Sequence, residues 1–309
     1  MFVKKVRKFG GHIVDGAEPV KRVSEVLIEG SDEITINVFS AMGKTTNALI
    51  LLTTASQSDD TTLVEKIKNE LKSFHLGVAA ELFEEGHQIF FDIENIFKDI
   101  DRTLKRFHFD SFKIAKDQVL PYGESLTTLI VSEYLNSIQV SNRLVHATNF
   151  LMTDASYGNA NIDRGMSAKL LESRLKALPK DVTIVITEGF VGLNYESAGL
   201  SHHWNETHTT TFDRDGSDRT AFEIAIQTKA ENVSIYKDVP GVMDSDPKKN
   251  PNAKLLPELS VSEFEQLQKT GATGQFLQKR CIDVIKEGTF TVAFYDFSNL
   301  SVPGTILTR

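Results

Sequence analysis

The stretch Ile34–Ile50, ITINVFSAMGKTTNALI, carries the reading of the fold. Ile34 to Phe39 alternates apolar and polar side chains, the period of a β-strand. Ser40 to Gly43 is a turn of small residues, and Lys44 to Leu52 continues as a helix. A strand, a hydroxyl-rich turn and a helix in that order predict an α/β unit. The turn falls where a helix offers free N–H groups and the positive end of its dipole to an anion. GKTT matches the close of a G-x-x-x-x-G-K-[ST] phosphate loop, but the first glycine of that pattern would fall at Val38, so that loop is ruled out. Ordinary helix capping by Ser, Thr and Asn is the alternative use of the same residues.

The same alternation extends in both directions. Phe2 to Phe9 reads as a strand ending in Gly10-Gly11, and Pro19 to Glu29 as a helix. The charged, amphipathic and nearly glycine-free stretch from about 61 to 118 reads as a helical insertion, followed by a helix over Gly123 to Asn136. Leu144 to Met152 is mostly strand-like, Val182 to Thr187 (VTIVIT) is a strongly apolar strand, and Gly192 to Thr211 reads as a long polar loop. Asp218 to Ala230 is a helix and Val233 to Tyr236 a strand. Helices over Ser260 to Gln268 and Gln275 to Glu287, then strands Phe290 to Phe294 and Thr305 to Thr308, complete the pattern. Strands alternating with helices predict a mainly parallel sheet covered on both faces, with ligands beyond the carboxyl ends of its strands.

Composition narrows the function. Charged residues make up 25% and hydrophobic residues 40%, the balance of an ordinary globular protein, and the formal net charge of -8 opposes broad binding to nucleic acid or anionic membrane. No apolar run reaches the ~18 residues of a membrane helix. The single cysteine, Cys281, cannot form an internal disulfide and reads as a small buried hydrophobe. The start of the chain has no apolar stretch after its basic residues, so it is not a secretory signal and a cytoplasmic protein is expected.

Four segments carry candidate chemistry. Lys8-Phe9-Gly10-Gly11 ends the first strand, where glycines let the backbone approach a phosphate and lysine adds a point charge. Ser40 to Asn47 is the turn already described. Thr209 to Asp218 (TTTFDRDGSD) packs hydroxyls, Gly216, Ser217, Asp218 and one arginine, Arg214, whose fork suits a carboxylate. Lys237 to Lys248 (KDVPGVMDSDPK) follows a strand, has turn chemistry throughout and fits a loop bordering a nucleotide. Its acids lack the spacing of a calcium loop, and His202, His203 and His208 lack the spacing of a zinc site, so no protein metal site is expected.

KFGG, VFSAMGKTTNAL, YGESLTTLI, FLMTDASYGNA, VITEGFVG, TTTFDRDGSDRTA, IYKDVPGVMDSDPK and PGTIL, in this order, resemble segments of the aspartate kinase family across nearly the whole chain. The resemblance implies the amino-acid kinase fold, a three-layer α/β/α sandwich with a mainly parallel open sheet. It implies an amino-acid-binding lobe over 1–220, which contains the helical insertion, and a nucleotide-binding lobe over 221–309. It implies transfer of the γ-phosphoryl group of ATP, with Mg²⁺, to the side-chain carboxylate of L-aspartate, feeding amino-acid and lysine biosynthesis. By position, Lys8 neutralises the transferring group and Asp218 orients Lys8. Lys8, Gly10, Gly11, Ser40, Lys237, Asp238, Met243 and Lys248 border the nucleotide. Thr46, Glu124, Arg214, Gly216 and Ser217 hold the amino acid. The resemblance also implies a possible homodimer.

The chain departs from the family pattern at particular places. His12 stands for a small hydroxyl residue, Asp213 and Asp215 for glycines, Met243 for an aromatic residue, and Thr273 for a lysine after Gly271-Ala272. The chain is expected to lack a regulatory module after PGTILTR, and with it feedback inhibition by lysine or threonine through such a module. Two alternatives follow from the departures: a catalytically weak relative that binds a ligand or partner, and a kinase of another acidic metabolite. Thr46, Glu124, Arg214 and Ser217 together favour aspartate.

Overall fold

The computed structural model of the chain describes residues 3–29, 33–195, 208–213, 215–247, 249–271, 276–300 and 304–309. In chain order the elements are β1 (Val3–Phe9), α1 (Ala17–Ile28), β2 (Ile34–Phe39), α2 (Thr45–Gln57), α3 (Thr61–Leu82), α4 (Gln88–Arg106), α5 (Phe112–Val119), α6 (Pro121–Ser137), β3 (Asn142–Leu144), β4 (Met152–Thr153), α7 (Arg164–Lys176), β5 (Ile184–Glu188), β6 (Val191–Asn194), β7 (Thr209–Thr211), α8 (Gly216–Thr228), β8 (Asn232–Lys237), β9 (Glu258–Ser260), α9 (Val261–Thr270), α10 (Lys279–Glu287), β10 (Thr291–Asp296) and β11 (Thr305–Thr308).

The main sheet has the order β3-β5-β2-β1-β8-β10-β11-β9. Neighbours from β3 to β10 run parallel, β11 is antiparallel to β10, and β9 runs parallel to β11. Every residue of β2 and of β5 is buried, which accounts for the strongly apolar run of β5, while β2 buries Thr35 and Asn37 as well. The two-residue period then sorts the side chains. Val6, Ile36, Val38, Val185, Val233 and Ile235 join a core filled by α7, α8, α9 and α10. Phe9, Phe39, Ile184, Ile186 and Tyr236 join a second core filled by α1 to α6. The result is a three-layer α/β/α sandwich with a mainly parallel open sheet.

Three helices, α3, α4 and α5, occupy the charged stretch, and α4 turns Ile89, Ile93, Phe97, Ile100 and Leu104 inward at helical spacing. The main sheet is continuous from β3 to β9, and α8 runs through residue 220.

Two stretches differ from the sequence reading. Leu144 to Met152 is not one strand: β3 stops at Leu144 and a 3₁₀ turn over Ala147–Asn149 intervenes before β4. The cause is a tertiary contact, because Ala147 N–H donates to the buried Glu188 carboxylate at 2.8 Å and leaves the ladder. The stretch from Gly192 to Thr211 is not loop throughout. It contains most of β6 and all of β7, which pair antiparallel and, with β4, make a small second sheet. Polar composition hid β7. Its Thr211 hydroxyl donates to Asp117 Oδ1 at 2.6 Å, and that of Thr210 meets Thr153 Oγ1 at 2.6 Å. His202 and His203 lie outside the described residues. Among the described residues no helix is long and apolar enough to cross a membrane.

Phe9, Phe39 and Glu188 are in register, as are Phe9 and Tyr236, so β1, β2, β5 and β8 end together. Strand order reverses at β1, which has β2 on one side and β8 on the other. A crevice at such a switch point is where open α/β sheets bind ligands.

Candidate active site

Lys8 lies next to the end of β1, and Asp218 lies in the first turn of α8. Lys8 Nζ is 2.7 Å from Asp218 Oδ1, and Lys237 Nζ, at the end of β8, is 3.3 Å from Oδ2. Asp218 is buried. Burial pushes its pKa up, but Lys237 and Lys8 together outweigh that and hold it below the usual carboxylate value. One carboxylate between two ammonium groups leaves one positive charge at the clamp, which the nearby Asp215 opposes. Lys237 also donates to Phe276 O at 3.0 Å and lies 4.7 Å from the centre of the Phe276 ring.

Asp215 begins α8 in the left-handed region, with φ of 58°. Burial and the Asp218 charge raise its pKa, with Lys237 and Lys8 opposing. Its Oδ2 accepts from Gln278 N at 3.1 Å, so this acid clasps the segment leading into α10.

The two turns at the ends of β1 and β2 are pressed together. Ser40 N donates to Phe9 O at 3.1 Å and Gly43 N to Gly11 O at 3.0 Å. A Cβ on Gly11 would stand 2.4 Å from Ala41 O, a backbone atom that cannot swing away, so only glycine fits. Gly10 lies beside Lys8 Nζ. Thr46 is half-buried in the first turn of α2, and its neighbour Thr45 is buried.

Glu124, on α6, is 2% exposed. Its Oε1 accepts from Ala41 N at 3.2 Å, while Oε2 is buried without a partner. Burial pushes its pKa up to about 8, against the Ala41 hydrogen bond and Lys8, with Glu188 adding to the rise. An orphaned buried carboxylate oxygen is the feature a ligand cation would complete. Ser217 is buried against the Gly189 turn, where a Cβ on Gly189 would lie 2.5 Å from Ser217 Cβ. Gly216 packs as closely on Phe190 and Phe212.

The structure thus gathers Lys8, Gly10, Gly11, Ser40, Lys237, Asp218 and Ser217 around the switch point, with Glu124 on the α6 side. Asp238 is exposed just beyond β8. Met243 is half-buried and bridges Leu255, on a loop stitched to β11 by Val242 N donating to Thr305 Oγ1 at 2.9 Å. Arg214 and Lys248, and Thr273 with them, lie outside the described residues. Sequence reasoning missed Glu188, His146 and the clasp made by Asp215. The one signal for Glu188 was an acid closing an apolar strand, VTIVITE.

The amino acid kinase family model matches residues 4–294. The chain belongs to the amino acid kinase family. The chain is 30% identical over 310 residues to Aspartokinase 2, chloroplastic, from Arabidopsis thaliana, covering 98% of this chain and 54% of that protein. It is 29% identical over 315 residues to Aspartokinase 1, chloroplastic, from the same plant, covering 98% and 52%. The chain therefore spans about half the length of these curated relatives. The crystal structure of E. coli aspartokinase III in complex with aspartate and ADP matches this chain with a TM-score of 0.84 at 23% identity, covering 98% of this chain and 64% of that one. The architecture is that of the amino acid kinase family.

Proposed function

We propose that the chain transfers the γ-phosphoryl group of ATP to the side-chain carboxylate of L-aspartate, giving 4-phospho-L-aspartate and ADP. The observation that carries the reading is the Lys8–Asp218–Lys237 clamp, set at the sheet's switch point beside a buried Glu124 with one oxygen unpartnered. The likeness to aspartokinases supports aspartate over other acceptors.

The nucleophile is a carboxylate, ionised at neutral pH, so no general base is required. A carboxylate oxygen bonds to the γ-phosphorus as the bond to the β,γ-bridging oxygen breaks, and the electron pair leaves with ADP. Two anions must be brought together and the charge on the moving group stabilised. Lys8, held in place by Asp218, supplies that charge. Gly10, Gly11 and Ser40 present backbone at the phosphates. Lys237, Asp238, Met243 and Lys248 border the nucleotide. Glu124 Oε2 receives the substrate ammonium, while Thr46, Arg214, Gly216 and Ser217 surround its carboxylates. Magnesium, when bound, neutralises phosphate charge. Among the described residues no group of three His, Cys, Asp or Glu converges to hold it. Such an ion is commonly bound through one or two carboxylates plus substrate phosphates and so arrives with the nucleotide.

The experiment is ADP release from ATP and magnesium with aspartate, with glutamate and with no acceptor, joined to hydroxylamine trapping of the acyl phosphate. Aspartate-dependent release with hydroxamate formation is expected. Glutamate-dependent release would assign another acidic acceptor. Nucleotide binding without turnover would favour the second reading, a catalytically weak relative, for which the Asp215 carboxylate beside the clamp is the supporting observation.

A further inference from the structure

A cavity of about 380 Å³ opens between α4, the start of α6, the turn after β3 and the end of β5. Its walls include none of Lys8, Ser40, Thr46, Glu124 or Ser217, and Ser125 and Glu188 place it beside the cleft described above rather than within it. Arg102 and Arg106, one helical turn apart on α4, line it together with His146 and Glu188.

Glu188 is buried, and both its oxygens are used within the protein. Oε1 accepts from His146 Nδ1 at 2.6 Å and Oε2 from Ala147 N at 2.8 Å. The imidazole is therefore anchored through Nδ1, and Nε2 has no partner among the described residues. The hydrogen bond to Glu188 is also the main cause that raises the His146 pKa and favours the charged ring. The His146 side chain is 52% exposed, which a purely structural pair at a strand end does not need. Glu188 and a protonated His146 cancel in charge. Arg102 is paired with Asp99 at the surface, at 2.6 Å, whereas Arg106 lies over the Phe107 ring at 5.1 Å and makes no ion pair among the described residues. A positive excess remains, and the hydroxyls of Ser125 and Thr148 add donors to the same wall.

We infer that this cavity is a second ligand site, taking a small organic molecule with an oxyanion head, a carboxylate or a phosphate, gripped by Arg106, Arg102 and His146 Nε2. Guanidinium and imidazolium groups make the charge-assisted hydrogen bonds that such a head requires. Phe107, Tyr122 and Val191 offer apolar contact to its body. The volume is that of a small-metabolite pocket and exceeds what a bare ion fills.

The test is calorimetric titration of the full chain with succinate and, separately, inorganic phosphate, with a non-hydrolysable ATP analogue saturating the nucleotide site. Each is repeated on Arg102→Ala/Arg106→Ala, His146→Gln and Lys8→Ala. Binding that survives Lys8→Ala and weakens roughly tenfold or more in the double arginine variant is expected, since a hydrogen bond to a charged group contributes about 1.5–3 kcal/mol. Succinate alone binding assigns a carboxylate head, and phosphate alone a phosphate head. His146→Gln should weaken binding with unfolding midpoints unchanged, which separates recognition from folding. Binding of neither probe, unchanged affinity in the double arginine variant, or loss only with Lys8→Ala would each overturn the site. None of these outcomes depends on kinase turnover.

Discussion

Lys8 Nζ lies 2.7 Å from Asp218 Oδ1, an ion pair that joins the carboxyl end of β1 to the first turn of α8. The pair places a cation at the switch point of the sheet and fixes where α8 begins. Lys8→Ala should lower kcat on the order of 10²-fold or more, as loss of a preorganised charge stabiliser does. Steady-state kinetics beside a thermal melt checks this. A fall matched by unfolding would refute it.

Asp218 makes the pair pH-dependent. Its folded pKa is depressed, so its stabilisation is present above the unfolded aspartate value and is lost as pH falls through the lower folded value. Asp218→Asn should cost on the order of 3 kcal/mol at pH 7, because two partly buried ammonium groups lose their shared counterion. The difference between variant and wild type should shrink toward pH 3. Urea unfolding at both pH values measures it, and a constant difference would contradict the assignment.

Gly11 is fixed by contact with the neighbouring turn. Gly11→Ala brings a methyl to 2.4 Å from Ala41 O and forces the two turns apart. A loss of about 1–3 kcal/mol is expected, typical of overpacking, together with weaker nucleotide binding. Wild-type stability and nucleotide affinity in this variant would show that the turns do not need their close approach.

Glu124 should give up a proton when an ammonium ligand binds. With a pKa near 8 it is mostly neutral at pH 7, and a cation placed at Oε2 lowers that value. Aspartate titrations in buffers of different ionisation enthalpy should show proton release, and Glu124→Gln should show none. The sign for stability follows from the raised folded value. The carboxyl is favourable below the unfolded glutamate pKa, and that advantage disappears as pH rises through about 8.

His75 ties α3 to the first turn of α2. Its Nδ1 contacts Leu71 O at 2.8 Å and so carries the proton, leaving Nε2 as the acceptor for Thr45 Oγ1 at 3.4 Å. Burial depresses its pKa to about 4, against the Leu71 hydrogen bond. The depressed folded value means that stability present above the unfolded histidine pKa of about 6.5 is lost on acidification, by about 3 kcal/mol as pH falls through 4. His75→Asn should flatten the stability profile between these two pH values. An equally steep profile in the variant would place the acid sensitivity elsewhere.

The layers and the parallel sheet were legible in the sequence. Strand and helix periods, apolar runs such as VTIVIT, and Gly-Gly after β1 are properties of residues close along the chain, and local chemistry fixes them. The same holds for the helical insertion, whose apolar spacing on α4 is visible without a partner. β7 and the break after β3 were not legible, because Thr209–Thr211 and Ala147 answer to Asp117 and Glu188, acids from other elements. The clamp at Asp218, the neutral Glu124, the His146–Glu188 pair and the use of Asp215 as a clasp were likewise decided only by tertiary structure. Burial and charge proximity between residues far apart in sequence set a side chain's protonation and partners, and neither quantity exists until the sheet has closed around it.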